Sequence, residues 1–299
     1  MCNLNFKKRK EDRVISMKYV ELNNSVKMPI LGYGVFQIPD HEECEKCVLN
    51  AIEVGYRLID TAQGYGNEVA VGKAVKKCGV PREDLFITTK IWISTFGYES
   101  AKKSIEGSLQ RLKFDYIDLL LIHQPFNDYY GTYRAMEELY KEGKLRAIGV
   151  SNFYPDRLID LIKYNEVIPA VNQVETHPFN QQVKANEIMK KYGVQIQAWA
   201  PFAEGKNNLF GNETLKAVGD KYNKSNAQVA LRFLIQRGVS VIPKTVNKER
   251  MIQNFNVFDF ELTDEDMGAI AALDTASSLF FSHYDPETVE RLTSLVRKF

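Results

Sequence analysis

The sequence lacks the features that mark secreted, membrane-spanning and nucleic-acid-binding proteins. It has only four cysteines in 299 residues, which is too few for a disulfide framework and favours a reducing compartment. No apolar stretch reaches the roughly 20 residues that cross a bilayer, and no apolar segment follows the basic residues 7–10 as it would in a signal peptide. The 39 basic and 38 acidic residues nearly balance, so no charge excess attracts nucleic acid or anionic lipid. We therefore expect a cytoplasmic globular protein with neither a membrane nor a nucleic-acid partner.

The chain is expected to form one domain. Residues 1–17 carry the basic run KKRK and few apolar side chains, and we predict a disordered extension there. No linker rich in Pro, Gly or Ser divides residues 18–299, and one barrel domain of this size is common.

Short β-rich apolar runs alternate with amphipathic helical segments over most of this length. The predicted strands span residues 31–36, 56–62, 85–91, 116–123, 145–152, 170–175, 195–200 and 239–245. Eight strand–helix pairs in sequence predict a single (β/α)8 TIM barrel, with a doubly wound sheet as the alternative.

Segments at both ends add to this barrel. The stretch KYVELNNSVKMPI, residues 18–30, predicts a β-hairpin that closes the bottom of the barrel. Thr263 followed by three acidic residues predicts a capped C-terminal helix, and a tail follows it. Cys44 and Cys47 have CxxC spacing, but their helical context and the lack of a second pair place both thiols on one helix face.

Polar residues end several predicted strands. Asp60 ends the second strand, Lys90 the third and His123 the fourth. Each has a structural explanation when it is taken alone, as a loop cap, a surface lysine or a core histidine. Because the carboxyl ends of barrel strands meet at one face, where barrel enzymes have their active sites, the three together predict a catalytic site.

Tyr65 follows Asp60 on a turn between Gly64 and Gly66. A phenol of pKa near 10 is a slow acid at neutral pH, and a nearby ammonium such as Lys90 lowers that pKa. Asp60 would keep the lysine charged, Tyr65 would protonate a developing alkoxide, and His123 would orient a carbonyl oxygen.

An acid that protonates a carbonyl oxygen needs a nucleophile for the carbon, and a hydride from a bound cofactor fits this site. The sequence has no GxGxxG motif after its first strand, so a Rossmann site is not supported. The segment IPKTVNKERMIQN instead offers groups for phosphate and adenine beside a helix N-terminus, namely Lys244, Thr245, Arg250 and Asn254.

Six motifs in barrel order resemble the aldo-keto reductase superfamily from residue 18 to the tail. They are GYRLIDTAQGYGNE, TTKIW, YIDLLLIHQP, GKLRAIGVSNF, VNQVETHP and IPKTVNKERMIQNF. The resemblance implies reversible reduction of an aldehyde or ketone to an alcohol, and it implies that the catalytic tetrad is Asp60, Tyr65, Lys90 and His123.

The same resemblance implies residues for the cofactor. Ser151, Asn152 and Gln173 would bind the nicotinamide carboxamide, and Trp199 would stack on the ring. The adenosine 2′-phosphate and the adenine would be bound by Lys244, Thr245, Arg250 and Asn254. The implied cofactor is NADPH/NADP+ rather than NADH, and no metal is expected.

The substrate pocket departs from the family pattern, because Phe36 and Gln124 stand where other members often have tryptophan. We predict a pocket lined by Phe36, Trp92, Gln124 and Phe126, with tail residues 280, 281, 283 and 284 near its mouth. The substrate is expected to be a small carbonyl compound, and a monomer is the default state.

Two other functions remain open at this stage. The first is an NADP-binding sensor or regulatory subunit with little turnover, which would keep the cofactor residues. The second is a metal-dependent barrel hydrolase or aldolase, for which His41, His177 and His283 do not form a ligand cluster in the predicted strand pattern.

Overall fold

A computed structural model describes residues 17–296. The predicted N-terminal extension, apart from Met17, therefore lies outside the described residues, and so does Cys2. The main sheet has eight strands in sequential order. They are β3 (Tyr33–Gly34), β4 (Leu58–Asp60), β5 (Phe86–Ile91), β6 (Leu119–Ile122), β7 (Ile148–Ser151), β8 (Val171–Glu175), β9 (Gln195–Trp199) and β10 (Ser240–Val241).

This sheet closes on itself between its first and last strands. A parallel bridge joins Leu31 to Val241, and the amide of Gly32 donates to Val241 O at 2.8 Å. All pairs between neighbouring strands of the sheet are parallel. The predicted (β/α)8 barrel is confirmed, and the doubly wound alternative is wrong. The last strand is shorter than predicted, since Pro243 has no N–H to continue the ladder.

The N-terminal hairpin is confirmed as the closure of the barrel bottom. Strand β1 (Tyr19–Glu21) pairs antiparallel with β2 (Lys27–Pro29). Leu22 and Met28 are buried in one apolar cluster with Leu58 and Leu119, which lie on the barrel strands. The hairpin therefore covers the end of the barrel opposite the predicted active site.

The helices follow the predicted alternation. They are α1 (His41–Val54), α2 (Glu68–Lys77), α3 (Tyr98–Leu112), α4 (Tyr129–Lys141), α5 (Pro155–Lys163), α6 (Val183–Lys191), α7 (Glu213–Tyr222), α8 (Asn226–Gln236), α9 (Lys248–Phe255), α10 (Asp264–Ala271) and α11 (Pro286–Thr293). Cys44 and Cys47 lie on α1, the helix predicted for them, and both are buried. None of the helices within residues 17–296 has the length and apolarity to span a bilayer.

The C-terminal α10 begins with the predicted cap. Thr263 and Asp266 form a reciprocal capping box. Asp266 is buried and also accepts hydrogen bonds from Lys221 at 2.6 Å and from Tyr222. This carboxylate therefore joins α10 to α7.

Two helices were not predicted from the sequence. Helix α7 begins after the N-cap Asn212, whose side chain accepts from the amide of Leu215 at 3.0 Å. Helix α11 begins after the N-cap Asp285, with Pro286 in its first turn. Both N-caps are readable signals.

Candidate active site

A short 3₁₀ turn positions the phenol of Tyr65. The turn spans Gln63–Tyr65, directly after β4, and ends at Gly66, whose φ of 72° suits glycine. Gln63 is buried, and its side chain accepts from the amide of Trp92 at 3.0 Å. A Cβ on Gly64 would lie 3.1 Å from the ring of Trp92. The two glycines therefore allow the turn to pack closely beside the third barrel strand.

Lys90 and Asp60 form a buried ion pair below this phenol. Lys90 is 0% exposed and Asp60 is 2% exposed. The ammonium contacts the Asp60 carboxylate, donates to Thr61 O at 2.9 Å and lies 3.3 Å from the Tyr65 hydroxyl. Burial opposes the charge on Lys90, but the carboxylate outweighs it and holds the pKa of Lys90 above its ordinary value. The ammonium therefore stays charged beside the phenol.

Gln173 completes the environment of the carboxylate. Its Nε2 donates to Asp60 Oδ2 at 2.8 Å and to Gln197 Oε1 at 2.8 Å. Gln173 O accepts from the hydroxyl of Ser151 at 2.8 Å. The sequence patterns gave no signal for the contact between Gln173 and Asp60, which joins a predicted cofactor residue to the catalytic ion pair.

His123 stands on the other side of the phenol. Its ring lies 5.7 Å from the ring of Tyr65 in an edge-on arrangement, and 5.0 Å from the ring of Trp92. Its amide donates to Ile91 O at 3.1 Å, which fixes the backbone at the end of β6. Asp60, Tyr65, Lys90 and His123 are thus brought together at one end of the barrel.

Asn152 and Trp199 meet at the neighbouring strand ends. The indole N–H of Trp199 donates to Asn152 Oδ1 at 2.8 Å. The amide nitrogen of Asn152 then lies 3.1 Å from His123 O and 3.2 Å from Ser151 Oγ. Amides, a hydroxyl and an indole face are therefore grouped beside the tetrad.

These residues open into a cleft of about 510 Å³. Of the predicted pocket residues, Phe36 and Gln124 line it, whereas Trp92 and Phe126 are buried and do not line it. The tail residues Phe280 and Phe281 lie on its wall. The predicted mouth residues at 283 and 284 line an adjoining cavity of about 520 Å³.

The loop after β9 also lines the cleft and was not predicted to do so. Phe202, Glu204 and Phe210 lie on the cleft wall. Lys206 of this loop donates to Leu279 O at 2.8 Å, which joins the loop to the tail. No periodic signal marks this irregular segment.

The far end of the cleft carries the basic segment predicted for phosphate. Lys244 is half-buried and lines the cleft, and the backbone oxygen of Thr245 accepts from the Tyr33 hydroxyl at 2.6 Å. Helix α9 starts just beyond, with Arg250 exposed in its first turn and Asn254 buried. Cations and free N–H groups at a helix N-terminus fit phosphate groups, and the amides beside Trp199 fit a carboxamide. The donor set therefore fits a nicotinamide dinucleotide.

The described residues do not support a metal centre. Within residues 17–296, no three His, Cys, Asp or Glu side chains are grouped closely enough to hold a metal ion. His177 pairs with Glu175 at 2.9 Å, and His283 pairs with Gln124 at 2.7 Å.

Comparison with known proteins places these residues in a family context. The model of the Aldo/keto reductase family matches residues 30–275. Glyoxal reductase of Bacillus subtilis is 49% identical over 255 residues, covering 85% of this chain and 92% of that protein. The 9,11-endoperoxide prostaglandin H2 reductase of Trypanosoma cruzi is 47% identical over 256 residues, covering 85% of this chain and 90% of that protein.

Solved structures have the same fold. The crystal structure of a Bombyx mori aldo-keto reductase in complex with NADP matches with a TM-score of 0.84 and 33% identity, covering 88% of this chain and 94% of that one.

Proposed function

Since the chain belongs to the aldo-keto reductase family, whose enzymes reduce small carbonyl compounds with a nicotinamide cofactor, we propose that it reduces aldehydes or ketones with NADPH and that Tyr65 is the general acid. The observation that carries this proposal is the position of Lys90, whose ammonium touches both the buried Asp60 carboxylate and the Tyr65 hydroxyl at the floor of the cleft. The reaction is reversible, and the alcohol is the product of reduction.

Tyr65 is suited to give up its proton because of its neighbour. As the carbonyl carbon is attacked, negative charge develops on the oxygen, and the phenol donates its proton there. The Lys90 ammonium, 3.3 Å from the phenol oxygen, stabilises the phenolate that remains. Asp60 keeps that ammonium charged in a site from which water is excluded.

His123 orients the same oxygen. Its ring stands edge-on to that of Tyr65 at 5.7 Å, so both groups can face one carbonyl oxygen from two sides. A side chain held in place before reaction stabilises developing charge without reorganisation.

The cofactor would lie along the rest of the cleft. Ser151, Asn152 and Gln173 would bind its carboxamide, and Trp199 would support its ring. The adenosine phosphate and the adenine would lie against Lys244, Thr245, Arg250 and Asn254. When bound, reduced nicotinamide supplies the hydride that adds to the carbonyl carbon. The cations beside helix α9 favour NADPH over NADH, because the additional 2′-phosphate gains charge-assisted hydrogen bonds there.

The test is the loss of NADPH absorbance with a panel of aldehydes and ketones, run beside NADH and beside Tyr65→Phe. The variant keeps the ring and removes the acid, so we expect turnover to fall by about 10²-fold or more. Equal NADPH binding by the two proteins is the control. Turnover in the variant within about tenfold of the parent would remove Tyr65 from this role.

A second candidate stays testable in the same experiment. If the protein binds NADPH but turns over no carbonyl, the NADP-binding sensor replaces the reductase. The activities named for the relatives, on glyoxal and on the 9,11-endoperoxide of prostaglandin H2, belong to those proteins. Glyoxal enters the panel as a candidate aldehyde, and prostaglandin H2 is assayed separately because an endoperoxide is not a carbonyl.

We also propose that residues 18–299 act as one catalytic domain, as a monomer, in the cytoplasm. Cys44, Cys47 and Cys78 are free thiols, which suits a reducing compartment. Light scattering of the purified protein tests the monomer, and cell fractionation tests the compartment.

A further inference from the structure

Two acceptors in the barrel interior hold the side chain of Gln173. Its Nε2 lies 2.8 Å from Asp60 Oδ2 and 2.8 Å from Gln197 Oε1. Asp60 is the counter-charge of the buried Lys90, so its carboxylate oxygens accept, and the atom of Gln173 that faces them is the nitrogen. The two acceptors use both hydrogens of this nitrogen. Gln173 lines the cleft, and the polar atom that its side chain can offer there is Oε1, an acceptor.

The orientation of the Gln197 amide follows from that of Gln173. The atom of Gln197 that meets the donating nitrogen is its oxygen, because a flipped amide would set two nitrogen donors against each other. The nitrogen of Gln197 then faces Ser240 Oγ at 3.2 Å and Met28 Sδ at 3.9 Å, and both of these atoms can accept. Gln197, Ser240 and Met28 are all 0% exposed. The acceptor for Gln173 is therefore fixed from below, in a part of the barrel that bulk solvent does not reach.

The register of the strands sets this contact. Gln197 on β9 is the pairing partner of Gln173 on β8 and of Ser240 on β10. Residues at matching positions on neighbouring strands point to the same face of a sheet, so all three side chains enter the barrel interior. At 0% exposure, Gln197 offers no surface to a ligand in the cleft. Any effect of Gln197 on a ligand therefore passes through Gln173.

The three side chains proposed for the carboxamide differ in what they can offer it. Asn152 Oδ1 already accepts from the Trp199 indole at 2.8 Å. Ser151 Oγ already accepts from Asn152 Nδ2 at 3.2 Å. A carboxamide has one oxygen that accepts and a nitrogen that donates two hydrogens. Gln173 Oε1 is therefore the acceptor best placed for the carboxamide nitrogen.

We infer that Gln197 is a positioning residue for the cofactor: by accepting one hydrogen of Gln173 Nε2, it keeps Gln173 Oε1 turned toward the nitrogen of the nicotinamide carboxamide. This inference rests on the proposed binding of NADP by the cleft. Without the oxygen of Gln197, one N–H of Gln173 is buried and has no acceptor, which is unfavourable. The Gln173 amide then gains by turning away, and the contact with the carboxamide is weakened.

The test compares NADP+ with its 3-acetylpyridine analogue, in which an acetyl group replaces the carboxamide. The analogue keeps the oxygen but has no N–H to donate to Gln173. Titration calorimetry gives both dissociation constants without turnover, and the ratio of the analogue's constant to that of NADP+ isolates this contact. In the parent we expect a ratio of about fivefold, as for the loss of one hydrogen bond. Gln197→Met keeps the length of the side chain and removes the accepting oxygen, so only NADP+ should lose affinity through this contact, and the ratio should fall at least twofold.

Two more variants separate positioning from packing. Gln197→Glu restores an oxygen that accepts from Gln173 in either protonation state of the carboxyl group, and it should restore the parent ratio. Thr88→Val is the matched control, because Thr88 pairs with Asp60 on the next strand and its buried hydroxyl makes no hydrogen bond within residues 17–296. It should keep the parent ratio. A role of Gln197 in packing alone would weaken both ligands equally. Gln197→Leu gives the same test if the methionine variant does not fold.

The outcomes separate the two proposals. If the parent protein binds neither NADP+ nor NADPH, the proposed function fails, and this inference fails with it. If the parent binds NADP+ but the ratio in Gln197→Met stays within twofold of the parent ratio, only the inference is overturned. A fall that Gln197→Glu does not reverse also overturns it, because the accepting oxygen is then not the cause. A ratio that falls in Gln197→Met and returns in Gln197→Glu supports the inference.

Discussion

Removing Lys90 should destabilise the protein, because it takes the counter-charge from the buried Asp60 carboxylate. In Lys90→Met, the Asp60 carboxylate stays buried at 2% exposure and keeps one side-chain donor, Gln173 Nε2 at 2.8 Å. Breaking a buried ion pair by removing one partner costs about 3–5 kcal/mol of unfolding free energy. We expect this loss for Lys90→Met.

The opposite change should cost less. In Asp60→Asn, the ammonium of Lys90 keeps Thr61 O at 2.9 Å and the Tyr65 hydroxyl at 3.3 Å. It can also lose its proton, which a buried lysine does readily without a counter-charge. We expect a loss of roughly 1–3 kcal/mol. The double variant leaves no buried charge at this site and should be more stable than Lys90→Met alone.

Urea unfolding of the parent, the two single variants and the double variant, at pH 7 and without cofactor, measures these energies. Equal m-values would show that the four proteins unfold in the same way. The reasoning is refuted if Lys90→Met lies within about 1 kcal/mol of the parent, or if the two single losses simply add in the double variant.

Two further predictions concern stability away from the site. Burial raises the pKa of Asp266, but hydrogen bonds from Lys221 and other donors outweigh it and lower that pKa to about 2. Because this pKa is lowered in the folded state, the carboxylate stabilises the fold at pH values above its ordinary pKa near 4. This stabilisation is lost as the pH falls toward 2. In urea unfolding at pH 7, Asp266→Asn should therefore lower the unfolding free energy by roughly 1–2 kcal/mol, allowing for the exposed lysine. The difference in unfolding free energy between parent and variant should shrink toward pH 2.5. An equal difference at both pH values contradicts this prediction. Glycines in helices form the second, matched pair. A Cβ on Gly72 would lie 2.2 Å from Leu112 O, whereas one on Gly268 would meet nothing within 4 Å. In thermal unfolding, we expect the melting temperature of Gly72→Ala to be several degrees lower than that of the parent. For Gly268→Ala we expect an unfolding free energy up to about 1 kcal/mol higher than that of the parent. Equal effects of the two substitutions would show that the contact to Leu112 does not matter.

The barrel was predictable because its signals are local. An apolar run followed by a helical period repeats along the chain, and each repeat is readable by itself. Helix α7 is not expected from the strand–helix alternation, because α8 already provides the helix that follows the seventh predicted strand. Helix α11 lies in the tail, beyond the strand–helix alternation.

The tetrad was predictable for a different reason. Asp60, Lys90 and His123 each follow an apolar run, and barrel geometry alone brings such positions to one face. The approach of the Tyr65 hydroxyl to Lys90 followed from the chemistry that a phenol needs. The phosphate and adenine residues were indicated by a basic segment beside a helix N-terminus, and the nicotinamide residues came from family resemblance. Their roles, and those of the pocket residues, stay predictions.

The contacts that could not be predicted join residues far apart along the chain. Gln173 and Asp60 are 113 residues apart, Gln124 and His283 are 159 apart, and Trp92 and Leu295, which share a hydrogen bond of 2.8 Å, are 203 apart. A periodic pattern reports which face a side chain takes, but the polar partner across the barrel depends on closure and on where the tail crosses the mouth. The contact of His283 with Gln124 therefore depends on the position of the tail, which only the three-dimensional structure supplies.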